Sequence, residues 1–349
     1  MSEQRHPIIE SDMDRIMAAD LPWSAFEGKT VLVTGAAGML PAYMVETLLR
    51  LNETRKGRKT RVLGVVRDLT RARARFAAYE SRDDLELMSQ DVSEPLSIRW
   101  HIDYLIHGAS QASPKYYGID PVGTLKANVL GTHNLLTLAR HHHAEGFLFF
   151  SSGEVYGQVD PNHPTAEDTF GPLDPTGVRS CYAESKRMGE NMCVAWHAQY
   201  GIPARIVRPF HTYGPGMKLD DGRVFADFVA DIVHGQNIVM KSDGSAVRPF
   251  CYLADATVAF FTVLLRGDDG QPYNVGNDKS EVSIIELANM LVRLFPEKAL
   301  KVIRQEHTPG YLKSKVSRNC PDIAKIRALG WEPVTTIEEG FRRTIRSYQ

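Results

Sequence analysis

The chain has 349 residues, enough for one large domain or two smaller ones around a substantial core. Hydrophobic residues make up 43% and charged residues 24%, and 41 basic against 42 acidic side chains exclude a whole-chain electrostatic role toward nucleic acid or an anionic membrane. Cys181, Cys193, Cys251 and Cys320 show no C-x-x-C and no metal-ligand spacing, the N-terminus lacks a signal-peptide core, and no window approaches the ~20 apolar residues of a membrane span, so a cytoplasmic protein with free thiols is expected.

In chain order, Ile9, Met13, Ile16 and Met17 recur at helical spacing and predict a short amphipathic helix over residues 8–19, with Ser11 or Asp12 as its cap. It belongs to an N-terminal extension, residues 1–28. Beyond a turn at Glu27–Gly28, strands are predicted at Thr30–Thr34, Arg61–Val66, Leu85–Ser89, Tyr104–His107, Phe147–Ser151 and Ala204–Arg208. Helical stretches such as Leu40–Leu51, Gly123–Arg140 and Tyr182–Tyr200 lie between them. Short apolar strands alternating with helices indicate an α/β fold, a doubly wound parallel sheet over 29–212 with a return segment near 251–267. After Tyr213 the pattern loosens into short pieces and closing helices at about 283–295 and 336–347, read as a smaller lobe formed by 213–250 and 268–349.

Residues 31–40, V-L-V-T-G-A-A-G-M-L, place a strand, then Gly35 and Gly38, then a helix, an arrangement that turns backbone amides and a helix N-terminus toward a pyrophosphate. The next strand ends in Arg67 and Asp68. The arginine suits the 2′-phosphate of NADP and the acid suits the ribose hydroxyls of NAD, which leaves NAD+ or NADP+ undecided. In S-C-Y-A-E-S-K, Tyr182 and Lys186 stand four residues apart on one helix face, and a lysine ammonium there is expected to lower the phenol's pKa and ready it to take a proton from a sugar hydroxyl. The run His141–His143 invites a metal reading, but adjacent helical residues point in different directions, so a solvated helix end and no metal is expected.

With these motifs the chain resembles the extended short-chain dehydrogenase/reductase family, in the branch that modifies nucleotide sugars. The resemblance runs from about Lys29 to the C-terminus. It rests on T-G-A-A-G-M-L, Asp91–Val92, H-G-A-S at 107–110, N-V-L-G-T at 128–132, S-S-G-E-V-Y-G at 151–157, Y-A-E-S-K, R-P-F-H-T-Y-G-P-G and the late P-D-I-A-K-I-R-A-L-G-W-E-P. Within that branch A-S-P-K-Y-Y, R-S-C-Y-A-E-S-K-R, D-D-G-R-V and D-G-S-A-V-R-P-F-C-Y resemble UDP-glucuronate decarboxylases most. The resemblance implies a Rossmann-like fold, a homodimer packed through the helices bearing Asn128 and Tyr182, and a tightly held NAD(P) reduced and reoxidised within one turnover. It also implies that Gly35, Ala37, Gly38, Met39, Leu40, Arg67, Asp91, Val92, Ala109, Ser151, Tyr182, Lys186 and Pro209 hold the cofactor. Ser152, Glu154, Tyr182 and Lys186 would be catalytic, and Lys115, Tyr117, His211, Arg223 and Arg248 would hold a nucleotide sugar, a UDP-sugar being favoured.

Oxidation at C4 of such a sugar yields a ketone with three fates: loss of CO2 if C6 is a carboxylate, loss of water if C6 carries a hydroxyl, or reduction from the other face. The 4,6-dehydratases resembling this segment carry an aspartate where Gly153 stands, and glycine cannot protonate a leaving hydroxyl. Glu154 remains as a base or sugar-positioning acid and suits decarboxylation better than 4-epimerisation. Lys115 suits a C6 carboxylate, although a solvated loop lysine reads equally well. His211 replaces the family's usual asparagine in N-x-Y-G-P, which bears on sugar preference. UDP-glucuronate decarboxylation is therefore the leading expectation, with a 4-epimerase or an atypical 4,6-dehydratase as alternatives. A dinucleotide-sensing protein without catalysis is the alternative of another class, disfavoured because Ser152, Tyr182 and Lys186 are all present.

Overall fold

The computed structural model describes residues 5–240, 242–305 and 318–349; the first four residues of the N-terminal extension and part of the expected second lobe lie outside them. Twelve strands are described: β1 Thr30–Thr34, β2 Arg61–Val66, β3 Leu85–Ser89, β4 Tyr104–His107, β5 Gly146–Phe150, β6 Ala204–Pro209, β7 His211–Tyr213, β8 Ile238–Met240, β9 Val247–Tyr252, β10 Pro272–Val275, β11 Glu281–Ser283 and β12 Val302–Arg304. Seven form one parallel sheet in the order β10-β6-β5-β4-β1-β2-β3. β1, β4 and β5 are apolar and buried almost throughout, as strands covered by helices on both faces must be. The order reverses between β1 and β4, and an open α/β sheet leaves its ligand crevice beyond the strand ends at such a point.

β10 lies in the stretch expected to belong to the smaller lobe, yet its pairing with β6 makes it the edge strand of the main sheet. Four residues with no alternation carried too little pattern to place it. Helix Leu253–Arg266, almost wholly buried, packs on the same sheet near β5 and β6. The remaining strands build two small sheets, β11-β9-β7 and β12-β8.

Helix Pro121–His142 lies against helix Cys181–Tyr200, and Asn128 Nδ2 donates to Ser185 Oγ across their buried seam at 2.9 Å. The N-terminal helix spans Pro7–Met17 and is capped by His6, whose Nδ1 accepts from the Ile8 amide at 3.2 Å, not by Ser11 or Asp12. Pro7, with its preset φ, starts the helix earlier than the apolar spacing suggested. Asp12 instead faces inward and fully buried, accepting from Tyr43 Oη (2.9 Å), Tyr252 Oη (2.7 Å) and Arg343 Nη2 (2.6 Å). One carboxylate thus joins the extension, the helix after β1, the end of β9 and the C-terminal helix Ile337–Arg346.

Candidate active site

A cavity of about 650 Å³ opens beyond the carboxyl ends of β1, β2, β4, β5 and β6. At the end of β1, Gly35 takes φ 65°, donates its amide to Val65 O at 2.9 Å, and passes so close to β4's extension that a Cβ would lie 2.8 Å from Ala109 Cα. Only glycine fits that conformation and approach. Gly38 then precedes helix Met39–Thr54 and offers no side-chain cap, so the first-turn amides of Met39 and Leu40 face the cavity without a side chain competing for them. Thr34 Oγ1 sits 2.9 Å from His107 Nδ1 and accepts from the Ala109 amide at 3.3 Å, holding the two strand ends together beneath the turn. This glycine cradle suits a dinucleotide pyrophosphate. Ala37, Arg67, Asp91, Val92, Ser151 and Pro209 also line the cavity; Asp91 accepts from the Ser93 amide (2.9 Å) and hydroxyl (2.8 Å).

β5 delivers the reactive end. It runs buried through Phe150 and releases Ser151, Ser152, Gly153 and Glu154 into the cavity wall. Ser152 caps the short 3-10 turn Gly153–Tyr156 by accepting the Glu154 amide at 3.2 Å. Tyr182 is hydrogen-bonded to Ser152, and Lys186, one helical turn on, donates to Phe150 O at 2.6 Å with its Nζ 5.8 Å from the Tyr182 ring centre. The serine, phenol and amine therefore meet at one place.

The phenol does not behave as its sequence suggests. Burial, then the charge of Glu154, push the Tyr182 pKa up, and the Ser152 hydrogen bond and Arg223 only partly oppose them. Burial also depresses Lys186, to about 7 against the upward pull of Glu190 and Cys193, so the lysine is only partly charged near neutrality and does not lower the phenol. Glu154 is itself raised by burial, against the pull of Arg179 and Arg223. Such a carboxyl can hold a proton at higher pH than an exposed glutamate, which suits acid–base work.

The expected sugar-binding residues are distributed unevenly. Lys115 reaches the cavity but pairs with Asp220, its Nζ 2.9 Å from the carboxylate. Tyr117 is buried and stacks on Tyr182 with centroids 4.9 Å apart and planes at 15°, its hydroxyl bound to Ala112 O at 3.0 Å; Tyr116 lines the cavity in its place. Tyr117 is thus a support for the Tyr182 ring and not a cavity contact, because the short helix Pro114–Tyr117 turns the two neighbouring rings apart. Arg223 faces the cavity and pairs with Asp221. Arg248 sits in β9, donates to Val247 O at 2.7 Å and falls outside the cavity lining among the described residues, although its charge acts on His211. Burial, then Arg248 and Arg223, take His211 down to about 3, which leaves a neutral imidazole in the wall. Its Nδ1 and the Ser110 hydroxyl are buried without a hydrogen-bond partner, and both residues line the cavity, as groups awaiting a ligand would.

Two contributions escaped the motifs. Arg179, which opens the stretch R-S-C-Y-A-E-S-K-R but has no assigned role there, tempers the Glu154 carboxyl from three residues before Tyr182. Beneath β5, Glu190 accepts from Ser151 Oγ and from Arg208 Nε (2.9 Å) and Nη2 (2.6 Å), and Arg208 also donates to Tyr156 Oη at 2.8 Å. The i,i+4 spacing of Lys186 and Glu190 was the available signal.

Comparison with known proteins agrees with this geometry. The model of the NAD dependent epimerase/dehydratase family matches residues 31–276. UDP-glucuronic acid decarboxylase 6 of Arabidopsis thaliana is 38% identical over 314 residues, covering 89% of this chain and 86% of its own length. UDP-glucuronic acid decarboxylase 1 of Xenopus tropicalis is 34% identical over 323 residues, covering 92% of this chain and 72% of its own. Among solved structures, UDP-glucuronic acid 4-epimerase of Bacillus cereus, crystallised with UDP-glucuronic acid and NAD, shares the fold with a TM-score of 0.76 at 23% identity, covering 91% of this chain and 98% of that one.

Proposed function

Because the chain belongs to the NAD-dependent epimerase/dehydratase family, we propose that this nucleotide-sugar-modifying enzyme acts as a UDP-glucuronate decarboxylase, oxidising the sugar at C4 and releasing its C6 carboxylate as CO2. The observation that carries the reading is the union of Ser152, Glu154, Tyr182 and Lys186 in one cavity with Gly153 where a dehydratase-type acid would stand. Oxidised NAD(P) held in the cavity would supply a hydride acceptor for C4 and a positive charge that would favour ionised Tyr182. Gly35, Ala37, Gly38, Met39 and Leu40 would hold its pyrophosphate, Arg67, Asp91, Val92 and Ala109 its adenosine half, and Ser151 and Pro209 its nicotinamide end, on the support of their place around the glycine cradle.

Tyr182 takes the proton of the C4 hydroxyl, and Ser152 holds that hydroxyl against it. Lys186, when protonated, stabilises the phenolate form of Tyr182 that accepts this proton, and the transfer leaves a neutral phenol. The 4-keto acid so formed carries its carboxylate β to the ketone, and breaking that carbon–carbon bond leaves its electron pair as an enolate that Glu154 can protonate. Glu154, whose carboxyl burial raises against the pull of Arg179 and Arg223, keeps its proton to higher pH than an exposed glutamate and serves as that donor. Return to C4 of the hydride the reduced cofactor would hold, with Tyr182 giving its proton back to the C4 oxygen, restores the hydroxyl, so that CO2 is the net loss. Arg223 serves the diphosphate from the cavity wall, Arg248 adds its charge beside His211 from outside the lining, His211 donates to the sugar or phosphate as a neutral imidazole, and Lys115 exchanges Asp220 for the C6 carboxylate. Tyr117 acts only through the ring of Tyr182.

We further place the enzyme in the cytoplasm, on its four unbridged cysteines, and read it as a homodimer. Val122, Leu125 and Leu130 on one helix and Met188 and Val194 on its neighbour are all more than a third exposed, and such an apolar face supports burial by a second copy. Mass spectrometry of UDP-glucuronate after incubation with the protein and NAD+ or NADP+ tests the reaction. A nucleotide sugar lighter by one CO2 is expected. An unchanged mass with a new C4 epimer, or loss of water from a UDP-hexose in its stead, would overturn decarboxylation in favour of the corresponding alternative.

A further inference from the structure

We propose that the cofactor half of the cavity selects a dinucleotide phosphorylated on the adenosine 2′-oxygen, with Arg67 and Arg71 as the groups that hold this phosphate. The proposal rests on the reading of the cavity as a dinucleotide site and concerns which dinucleotide enters it.

Position comes first. β2 runs beside β1 in the register Thr34↔Val65, and Val65 O receives the Gly35 amide of the glycine turn. Arg67 therefore emerges two residues farther along, at the rim next to the pyrophosphate cradle, where the adenosine ribose falls in folds of this kind. Selection for NAD relies on an acid there, accepting from the 2′- and 3′-hydroxyls. The first side chain at this rim is a guanidinium. The acid that follows, Asp68, is engaged as an N-cap, its Oδ1 accepting the Arg71 amide at 2.9 Å.

The charge pattern supplies the second observation. Arg67, Arg71 and Lys126 all line the cavity, and none forms an ion pair or side-chain hydrogen bond among the described residues. Farther along the same segment the arginines are satisfied: Arg75 pairs with Glu46, and Arg82 with Asp84 and Glu53. The acids facing this part of the cavity are each hydrogen-bonded locally, and Arg67 and Lys126 act on Asp91 and Asp120 through their charge without an ion-pair contact. Asp91 holds Ser93, and Asp120 holds Gln111 Nε2 (2.7 Å) and the Gly123 amide (2.9 Å). Unpaired guanidinium groups converging on a ribose site suit a dianionic phosphate, which accepts paired, charge-assisted hydrogen bonds, and offer nothing specific to a neutral 2′-hydroxyl.

Calorimetric titration of the full-length protein, freed of bound nucleotide, with adenosine 2′,5′-bisphosphate and with 5′-AMP reads this directly and needs no turnover. The bisphosphate is expected to bind at least about tenfold more tightly, the ratio that one charge-assisted hydrogen bond supplies. Arg67→Ala with Arg71→Ala should erase that ratio, the loss falling on the bisphosphate more than on 5′-AMP by about tenfold, and a double variant that weakens both probes equally would overturn the proposal. Equal affinities in the unaltered protein would overturn the proposal while leaving the dinucleotide site standing. Failure of both probes to bind would overturn the dinucleotide reading itself. Nucleotide released by heating the purified protein gives an independent check: predominantly NADP is expected, and predominantly NAD refutes the assignment.

Discussion

Replacing Glu190 tests whether the floor of the site is held by charge. Its carboxylate takes two hydrogen bonds from Arg208 and one from Ser151, and the ion-paired side chains of Glu190 and Arg208 are only 11% and 6% exposed. Glu190→Leu leaves the guanidinium buried and uncompensated, a loss of about 3–5 kcal/mol for pairs of this kind. With about 2.1 cal/mol/K of unfolding entropy per residue, a chain of this length loses roughly 1.4 °C per kcal/mol, so the melting temperature should fall by roughly 4–7 °C. Arg208→Met in the Glu190→Leu background removes the stranded charge and should recover at least about half of that loss, a coupling that a double-mutant cycle in thermal or urea unfolding reads out. Glu190→Leu melting within about 1 °C of the parent would show that the pair does not carry the floor. So would a double variant at least as unstable as the sum of the singles.

Two further outcomes follow from the reactive end. Tyr182→Phe keeps the ring that Tyr117 stacks upon but removes the proton acceptor, so turnover should drop by about 10²–10⁴-fold while nucleotide binding persists; unchanged turnover would remove Tyr182 from the chemistry. Lys186 titrates near 7 in the folded protein against 10.5 when unperturbed. Between those values the unfolded chain binds more protons, so this group makes the nucleotide-free protein less stable as pH falls from about 10.5 to 7 and adds no further loss below 7. Melting curves of Lys186→Met should be flatter over that window, and a parallel curve would mean that the lysine is not desolvated.

What the sequence disclosed and what it withheld divide along range of interaction. Gly35 was legible because a strand, a left-handed turn and a helix are consecutive, and each constrains the next through local backbone geometry. The pairing of Tyr182 with Lys186 followed from helical spacing, and Glu190 lay one further turn along the same face. Asp12 was misread because its partners Tyr43, Tyr252 and Arg343 are up to 331 residues away, so an acid near a helix start looked like a cap. Tyr117 was misassigned for a related reason. The motif fixed which loop approaches the sugar, but only packing against Tyr182 decides which of two adjacent tyrosines looks outward. The depressed Lys186 and raised Tyr182 could not be read at all, since burial, which no motif encodes, is the largest influence on both.

Gly153 joins the two kinds of information. Sequence alone marks it as the absence of an acid and leaves open whether an acid could be restored there. In the fold, a Cβ at this position would lie 3.2 Å from the Phe210 ring, which with Val155 and Tyr156 forms a small apolar cluster under the turn. A contact that short requires the Phe210 ring to give by a few tenths of an ångström before a larger residue can stand at 153. Restoring an acid therefore involves two positions, one in β5's extension and one in the link from β6 to β7. Expelling a C6 hydroxyl needs a proton donor at that spot. Releasing a C6 carboxylate from a 4-keto acid does not, because the ketone itself receives the electrons. The absence of an acid at 153 thus weighs against dehydration and for decarboxylation on chemical grounds.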